Sequence, residues 1–516
     1  MNYRKEMIQI AKRLLSMQDR NIGSNTYGCF DRNYWHYKQT DFPVGRFQEA
    51  VLTLSYLYTT KSNPYYKNER IKEWIIAGIN YWSKIQNKNG SFDEWWPNES
   101  SYVTTAFSTF AVTESLLLLK EKPNKEVLVS IEKAAFFLMR INEKKVTNQE
   151  AGAAAALLNA YLITKKREYL QRFQQKKQTI IETQNIEGWW EEYGNVDSGY
   201  LSWMLYYLTK IYQKTKDSKI QKSIYLALDF LDAISLPDAI GGEVTARNTE
   251  YFAPLCFEYF QTNAAKNLAA IAMSQNIADL FSLDDRYVAY MTYAWIDASQ
   301  YAKNTKYTLG EIKKYFTNAG IFVLKNKNIQ LIYSTKKGGA FKIHFKGANY
   351  SDSGVLIKSD QTLFTSGFYH QKNKFNQKTS EGNLIKVYQK SLSPSSYVVS
   401  RGLGKTLFRS TFIAETAKKV LRNLVISQKN LSNIKFERSF EAERNKVIII
   451  DKLNDIPKNS EIFLGHKYSF NFIPSSRYFI MPELKQKGML KIQNKQKTNI
   501  KIKRTITNKG QKVEIL

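Results

Sequence analysis

The sequence predicts two halves: an (α/α) toroid of about six helical hairpins over residues 1–318, then an antiparallel β-sandwich over residues 319–516. Three observations predict it. The spacing of apolar residues changes near residue 320, from steps of three and four to alternation. Loops rich in Trp, Tyr, Asn, Arg and carboxylates recur roughly every 40–60 residues, about one per helical hairpin. Charge is unequally shared, because residues 321–516 hold 37 Lys+Arg against 12 Asp+Glu and so carry +25 of a net +30.

The first half reads as helix after helix. Helical spacing joins Ile8, Ile10, Ala11, Leu14 and Leu15, and again Trp74, Ile75, Ile79 and Trp82. It returns in Ile131–Leu138, Ala153–Leu162, Leu201–Ile211, Ile224–Leu231 and Ala264–Ile277. The rich connections are Asp31–Tyr37, Gly90–Trp96, Thr147–Glu150, Glu187–Tyr200 and Gly241–Tyr251. In an antiparallel array alternate loops emerge on one face, so these five should gather on a single rim. The opposite loops, such as Lys120–Lys125, are plain and charged.

Glu187-Gly-Trp-Trp-Glu-Glu-Tyr-Gly-Asn-Val-Asp-Ser-Gly-Tyr200 is the densest of them. Its glycines exclude a helix interior. Indole rings stack on sugar faces, and clustered carboxylates hold hydroxyls or move protons. The alternative is a plain helix–helix loop with Trp189 and Trp190 buried beneath it.

The second half shows strand-like runs at Gly320–Leu324, Ile329–Ser334, Ala340–Phe345, Gly354–Lys358, Ser396–Ser400, Val447–Asp451 and Asn499–Ile506. Lysines alternate with apolar residues in the last strands, which suits a solvated face with protected edges. A basic half also suits a polyanion, whether an acidic polysaccharide, nucleic acid or a membrane surface, or is plain compositional drift.

Hydrophobic residues at 43% and charged residues at 24% exclude wholesale disorder. Cys29 and Cys256, the only cysteines, exclude a disulfide framework and a Cys-based zinc site. His36, His344, His370 and His466 form no metal-binding pattern, so neither a metal nor another cofactor is expected. No transmembrane run is expected, and Met1–Ile10 reads as an amphipathic helix without a signal peptide. The expectation is a cytoplasmic chain, or a periplasmic or secreted one whose leader is missing.

A toroid with such a rim, followed by a β-sandwich, resembles the heparinase II/III-like superfamily of polysaccharide lyases. Four segments carry the local likeness. Thr147-Asn-Gln-Glu150, opening an alanine-rich helix, is similar to the place of a substrate-binding asparagine. Glu187–Tyr200 resembles the loop leading into a Tyr-bearing helix. Gly241-Gly-Glu243 with Arg247-Asn-Thr-Glu-Tyr251 resembles a segment of uncharacterised relatives. Gly338–His344 with Asp352-Ser-Gly354 resembles the first β-domain motif.

The resemblance implies β-elimination on an acidic, uronate-containing polysaccharide or oligosaccharide, with no nucleic-acid partner. Such chemistry needs a neutral or cationic group on the uronate carboxylate, to which Asn148, Gln149 or Arg247 answers. It needs a base and an acid, for which Tyr193, Tyr200, Tyr251 and His344 are candidates. Trp35, Trp95, Trp96, Trp189 and Trp190 would be sugar platforms. His36, Glu191, Asp197, Asn248 and Glu250 complete the implied binding set. The chain departs from the family where Leu201 follows Tyr200 in place of histidine, and no histidine lies between His36 and His344. Bland roles stand beside the functional ones: Asn148 as a helix cap, Tyr200 as core, His344 as an ordinary strand residue.

Three other functions remain open. A glycoside hydrolase would pair Asp93 or Glu94 with Glu191, Glu192, Asp197 or Glu250 across about 5–9.5 Å. A non-catalytic glycan-binding protein of polysaccharide or capsule biosynthesis fits the missing histidine. More loosely, Gln86–Phe92 resembles the Gln/Trp repeats of terpene cyclases.

Overall fold

The computed structural model describes residues 3–516 apart from 62, 238, 248, 250, 274–282, 370–373, 444, 469, 471–487 and most of 388–429. The run Ser396–Ser400, expected as a strand, lies largely outside the described residues, as does the end of the helix expected to reach Ile277.

The helices are α1 (Tyr3–Met17), the single turn α2 (Arg32–Trp35), α3 (Ala50–Thr59), α4 (Glu69–Lys84), α5 (Tyr102–Leu119), α6 (Lys125–Arg140) and α7 (Thr147–Thr164). They continue with α8 (Arg167–Glu182), α9 (Ser198–Thr215), α10 (Ser218–Ala233), α11 (Leu255–Tyr259), α12 (Asn263–Ala272) and α13 (Asp285–Ser299). An inner ring runs α3, α5, α7, α9, α11, α13 and closes where α13 packs on α3. The remaining long helices lie outside it. Composition sorts the two rings. α4, α6 and α10 bury one stripe, whereas α5 and α7 are buried on nearly every face, as an inner position demands. α5 is long and apolar enough to cross a membrane, but here it is an inner-ring core helix, mostly buried. Gly152 lets α7 approach α5, since a Cβ there would stand 2.3 Å from the Phe107 ring.

A repeated device ties the outer helices together. Gln86, beyond the end of α4, donates from Nε2 to Gly90 O at 3.0 Å and to Ser130 O of α6 at 2.8 Å. Gln184, beyond α8, donates to Gly188 O at 3.0 Å and to Ser223 O of α10 at 2.9 Å. Gln18, beyond α1, reaches Trp74 O of α4 at 2.8 Å. Gly90 and Gly188 take positive φ, and each presses on the next outer helix so closely that a Cβ would meet a carbonyl oxygen at 2.2 Å. The Gln/Trp-like segment Gln86–Phe92 is therefore one of these brackets.

The last helix ends at Ser299, and the strands of the second half begin at Ile312. Ile312–Phe316, Ile321–Lys325, Ile329–Ser334, Ala340–Phe345 and Ala348–Asp352 form a five-stranded antiparallel meander. Alternation sets its faces. Ile321, Val323 and Ile332 join the toroid core, while Leu331, Tyr333, Phe341 and Ile343 pack on Phe440, Val447, Ile449 and Ile506 of a second antiparallel sheet, which has ten strands among the described residues. That sheet also encloses Ile357, Phe436, Leu453, Ile462 and Ile502.

Between the sheets Asp352, Arg438, Asp451 and Arg504 are fully buried. Asp352 accepts from Gly354 N at 2.8 Å, Gly465 N at 3.0 Å and Arg504 Nη1 at 2.7 Å, so the Asp352-Ser-Gly354 turn is a structural hub.

Candidate functional site

All six inner helices begin at one end of the toroid, and the five rich loops lie there. The loops are stitched to one another. Gly45 N donates to Asp93 O at 3.0 Å, Tyr193 N to Lys145 O at 3.0 Å and Ala246 N to Val196 O at 2.9 Å. Asp197 caps α9 through Tyr200 N at 3.0 Å and also accepts Arg247 N at 3.1 Å. One buried carboxylate thus fixes the positions of both Tyr200 and Arg247.

At the centre the Arg247 guanidinium lies over the Tyr193 ring, 4.2 Å from its centroid, and the Tyr193 and Tyr200 rings are 6.2 Å apart. Tyr193 holds φ at 55°, a costly conformation for a tyrosine. Burial, then the neighbouring Tyr193, pushes the Tyr200 phenol well up, and the Arg247 charge works against this. Behind them Asn148, 4% exposed, begins α7, and its N–H donates to Glu192 Oε1 at 2.9 Å. Burial pushes the Glu192 carboxyl well above the usual range.

Four buried polar atoms here have no hydrogen-bond partner within the protein: Glu192 Oε2, Asn195 Oδ1, Arg247 Nε and Thr249 Oγ1. Proteins rarely leave such atoms unmatched except where a ligand or water completes them.

A second charged group continues along the rim. Arg286 pairs with Glu94 and lies 4.0 Å over Trp95, whose indole is 51% exposed. Burial raises the Glu94 carboxyl, but Arg286 and then Arg46 outweigh it and hold the group below its usual range. Arg46 pairs with Glu49 and covers the Tyr290 ring at 4.0 Å. Tyr287 links the two groups, 5.4 Å from Tyr251 and 4.9 Å from Tyr290. Sequence reasoning missed Arg46, Arg286, Tyr287 and Tyr290. The N-cap at Asp284 was the available signal, since it places Arg286 and Tyr287 in the first turn of α13, on the rim.

Several expected residues take other roles. Trp189 and Trp190 are buried, their indoles donating to Glu187 Oε2 at 3.0 Å and Ile180 O at 2.7 Å, so neither is a sugar platform. Trp35 is half-buried and tied to Met17 O at 2.8 Å, with exposed His36 against it at 5.0 Å. Asp197 is consumed by its three backbone N–H groups and is a positioning residue. Tyr251 is buried against Tyr287. Gln149 and Trp96 are half-buried and Glu191 is exposed, all on the rim. Asn248 and Glu250 lie outside the described residues.

His344 occupies the toroid-facing side of its strand, paired in register with Gln330, which accepts from Tyr307 at 3.1 Å. Lys342, two residues back, is the one that reaches the rim, at Glu243. Register sets His344 between Gln330 and Asn349 on that side. Of the hydrolase carboxylates, Asp93 is taken up by Asn98 N at 2.7 Å, Ser100 N at 3.0 Å and Asn87 Nδ2 at 2.8 Å, and Glu94 by Arg286. Among the described residues no group of three or more His, Cys, Asp or Glu side chains could hold a metal ion.

No family model matches the chain, and no curated protein sequence does. Solved structures do. A xanthan lyase from Paenibacillus aligns over 89% of this chain and 46% of its own, at 8% identity and a TM-score of 0.52. The chondroitin AC lyase of Streptomyces coelicolor A3, solved in complex with chondroitin sulphate, aligns over 90% of this chain and 68% of its own, at 7% identity and a TM-score of 0.55. This chain thus spans about half the length of the xanthan lyase. The fold is the helical toroid with an antiparallel β domain found in these polysaccharide lyases.

Proposed function

We propose that the protein is carbohydrate-active and cleaves an acidic, uronate-containing polysaccharide by β-elimination at the toroid rim. The observation that carries this reading is the Tyr193–Arg247–Tyr200 cluster among unmatched buried polar atoms, on a lyase fold. Arg247, with the amide of Asn148, would hold the uronate carboxylate and draw its charge, which acidifies the adjacent C5 proton and stabilises the enolate-like intermediate. Tyr193, beneath the guanidinium, takes that proton as its phenolate. The electron pair forms the C4=C5 double bond, the C4–O4 bond breaks, and Tyr200, held protonated by burial, gives its proton to O4. The exposed Trp95 offers a sugar face.

The unsaturated uronate absorbs in the near ultraviolet. Incubation with alginate, heparan, hyaluronan and pectate should raise the absorbance with one of them. Tyr200→Phe should then cut the rate by about 10²–10⁴ without unfolding the protein. Reducing ends without absorbance would sink elimination in favour of hydrolysis. Binding without turnover is the second reading, favoured by Leu201 standing after Tyr200 and by the lack of any histidine between His36 and His344. Retained affinity with a flat trace would establish it.

A further inference from the structure

The loop Gly241–Tyr251, which carries Arg247, is held from two sides. From the toroid, Ser198 Oγ donates to Ile240 O at 2.9 Å, and Val196 and Asp197 take the N–H groups of Ala246 and Arg247. From the β domain, Lys342 and Lys467 stand 2.6 and 3.7 Å from the Glu243 carboxylate, and the buried Lys337 donates to Thr245 O. The loop has no slack. Gly241 and Gly242 take φ of 63° and 73°, and a Cβ on Gly242 would stand 3.0 Å from Lys342 Nζ. Glu243 is 2% exposed. Burial alone would raise its carboxyl, but the two lysines bring it down to about 2, so the grip is ionic at every ordinary pH.

We propose that Glu243 is a positioning residue for Arg247: the β domain, through Lys342, Lys467 and Lys337, holds the second side of a loop whose first side Val196 and Asp197 hold, and so sets the guanidinium over Tyr193 in an anion-binding site. This rests on the reading that the rim binds an acidic polysaccharide. Without the charge at 243, two lysines would face each other across the loop, and Arg247 would lose its register with Tyr193.

The test is a double-mutant cycle on the full chain, with affinity for labelled alginate, hyaluronan, heparan and pectate oligosaccharides as the readout. Glu243→Gln should weaken binding about tenfold, and Lys337→Met comparably, while Arg247→Lys keeps measurable binding. In the Arg247→Lys background each should add less than about twofold, because both act through Arg247. Equal losses in both backgrounds would mean a general structural role and overturn the proposal, as would unchanged affinity in Glu243→Gln. Should Glu243→Gln fail to fold, Lys337→Met decides alone. A wild-type protein that binds none of the four glycans would overturn the functional reading and this inference together.

Discussion

The two ends of the inner ring are both polar and differ in how that polarity is settled. At the end away from the loops, Lys210 pairs with Asp297 at 2.9 Å and Glu114 at 3.2 Å, and accepts no exposure beyond a few per cent. Lys214 pairs with the same Glu114 and with Asn159 Oδ1 at 2.7 Å. These lysines sit near helix C-termini, where positive charge is favoured. Here the charges are matched side chain to side chain. At the rim, Arg247, Glu192, Asn195 and Thr249 keep atoms unmatched, and Trp95 is left open. At one end the charged side chains satisfy one another; at the other Glu192 and Arg247 keep atoms for something else to meet.

Substitutions can break that contrast, the deepest at the matched end. Lys210→Met leaves the buried Asp297 without its cation, while Glu114 keeps Lys214, and should cost about 3–5 kcal/mol of stability in urea titration. A loss under about 1 kcal/mol would mean that the matched end is not structural. At the rim the balance should reverse. Arg247→Ala should weaken polysaccharide binding about a hundredfold, near 3 kcal/mol, while changing unfolding by about 1 kcal/mol. If stability falls and binding holds, the rim is merely another structural cluster.

Smaller effects sharpen the picture. Trp95→Ala should cost about tenfold in affinity with no change in thermal midpoint, since the indole is half open to solvent. Glu192→Gln tests the unmatched carboxyl through pH. Burial raises the folded-state pKa above the unfolded one, so the folded protein holds the proton more tightly. Stability is therefore greatest below the unfolded value of about 4.5 and falls as pH rises toward the folded value. Glu192→Gln should match the wild type at pH 4 and exceed it by about 1 kcal/mol or more at pH 8, by thermal unfolding. Parallel pH profiles would show that Glu192 is not a strained neutral acid.

Much of this was legible before any coordinates. The change of period near residue 320 divides helices from strands because buried helices and half-buried strands impose different spacings. Alternate loops share a face for topological reasons, which is why five segments could be placed on one rim. Direction was not legible. Trp189 and Trp190 sit in the loop that invites a sugar-platform role, but their indole N–H groups turn inward to Glu187 and Ile180. No local pattern says which way a loop ring will face. Arg286 and Tyr287 were hidden for the opposite reason: they open an otherwise apolar helix and read as part of it. His344 shows a third limit, because its face depends on a register that only the paired strands define.

The glutamine brackets bear on more than packing. A stack of helical hairpins with two free ends frays from them, since a terminal repeat has a single neighbour. In this chain α13 lies against α1 and α3, so the first hairpin has a neighbour on each side, and no repeat is terminal. Gln18, Gln86 and Gln184 add direct links from one outer helix to the next. Local opening of any bracketed hairpin then breaks bonds in its neighbours as well. A rim built from loops of separate hairpins can stay in register only if those hairpins open and close as one.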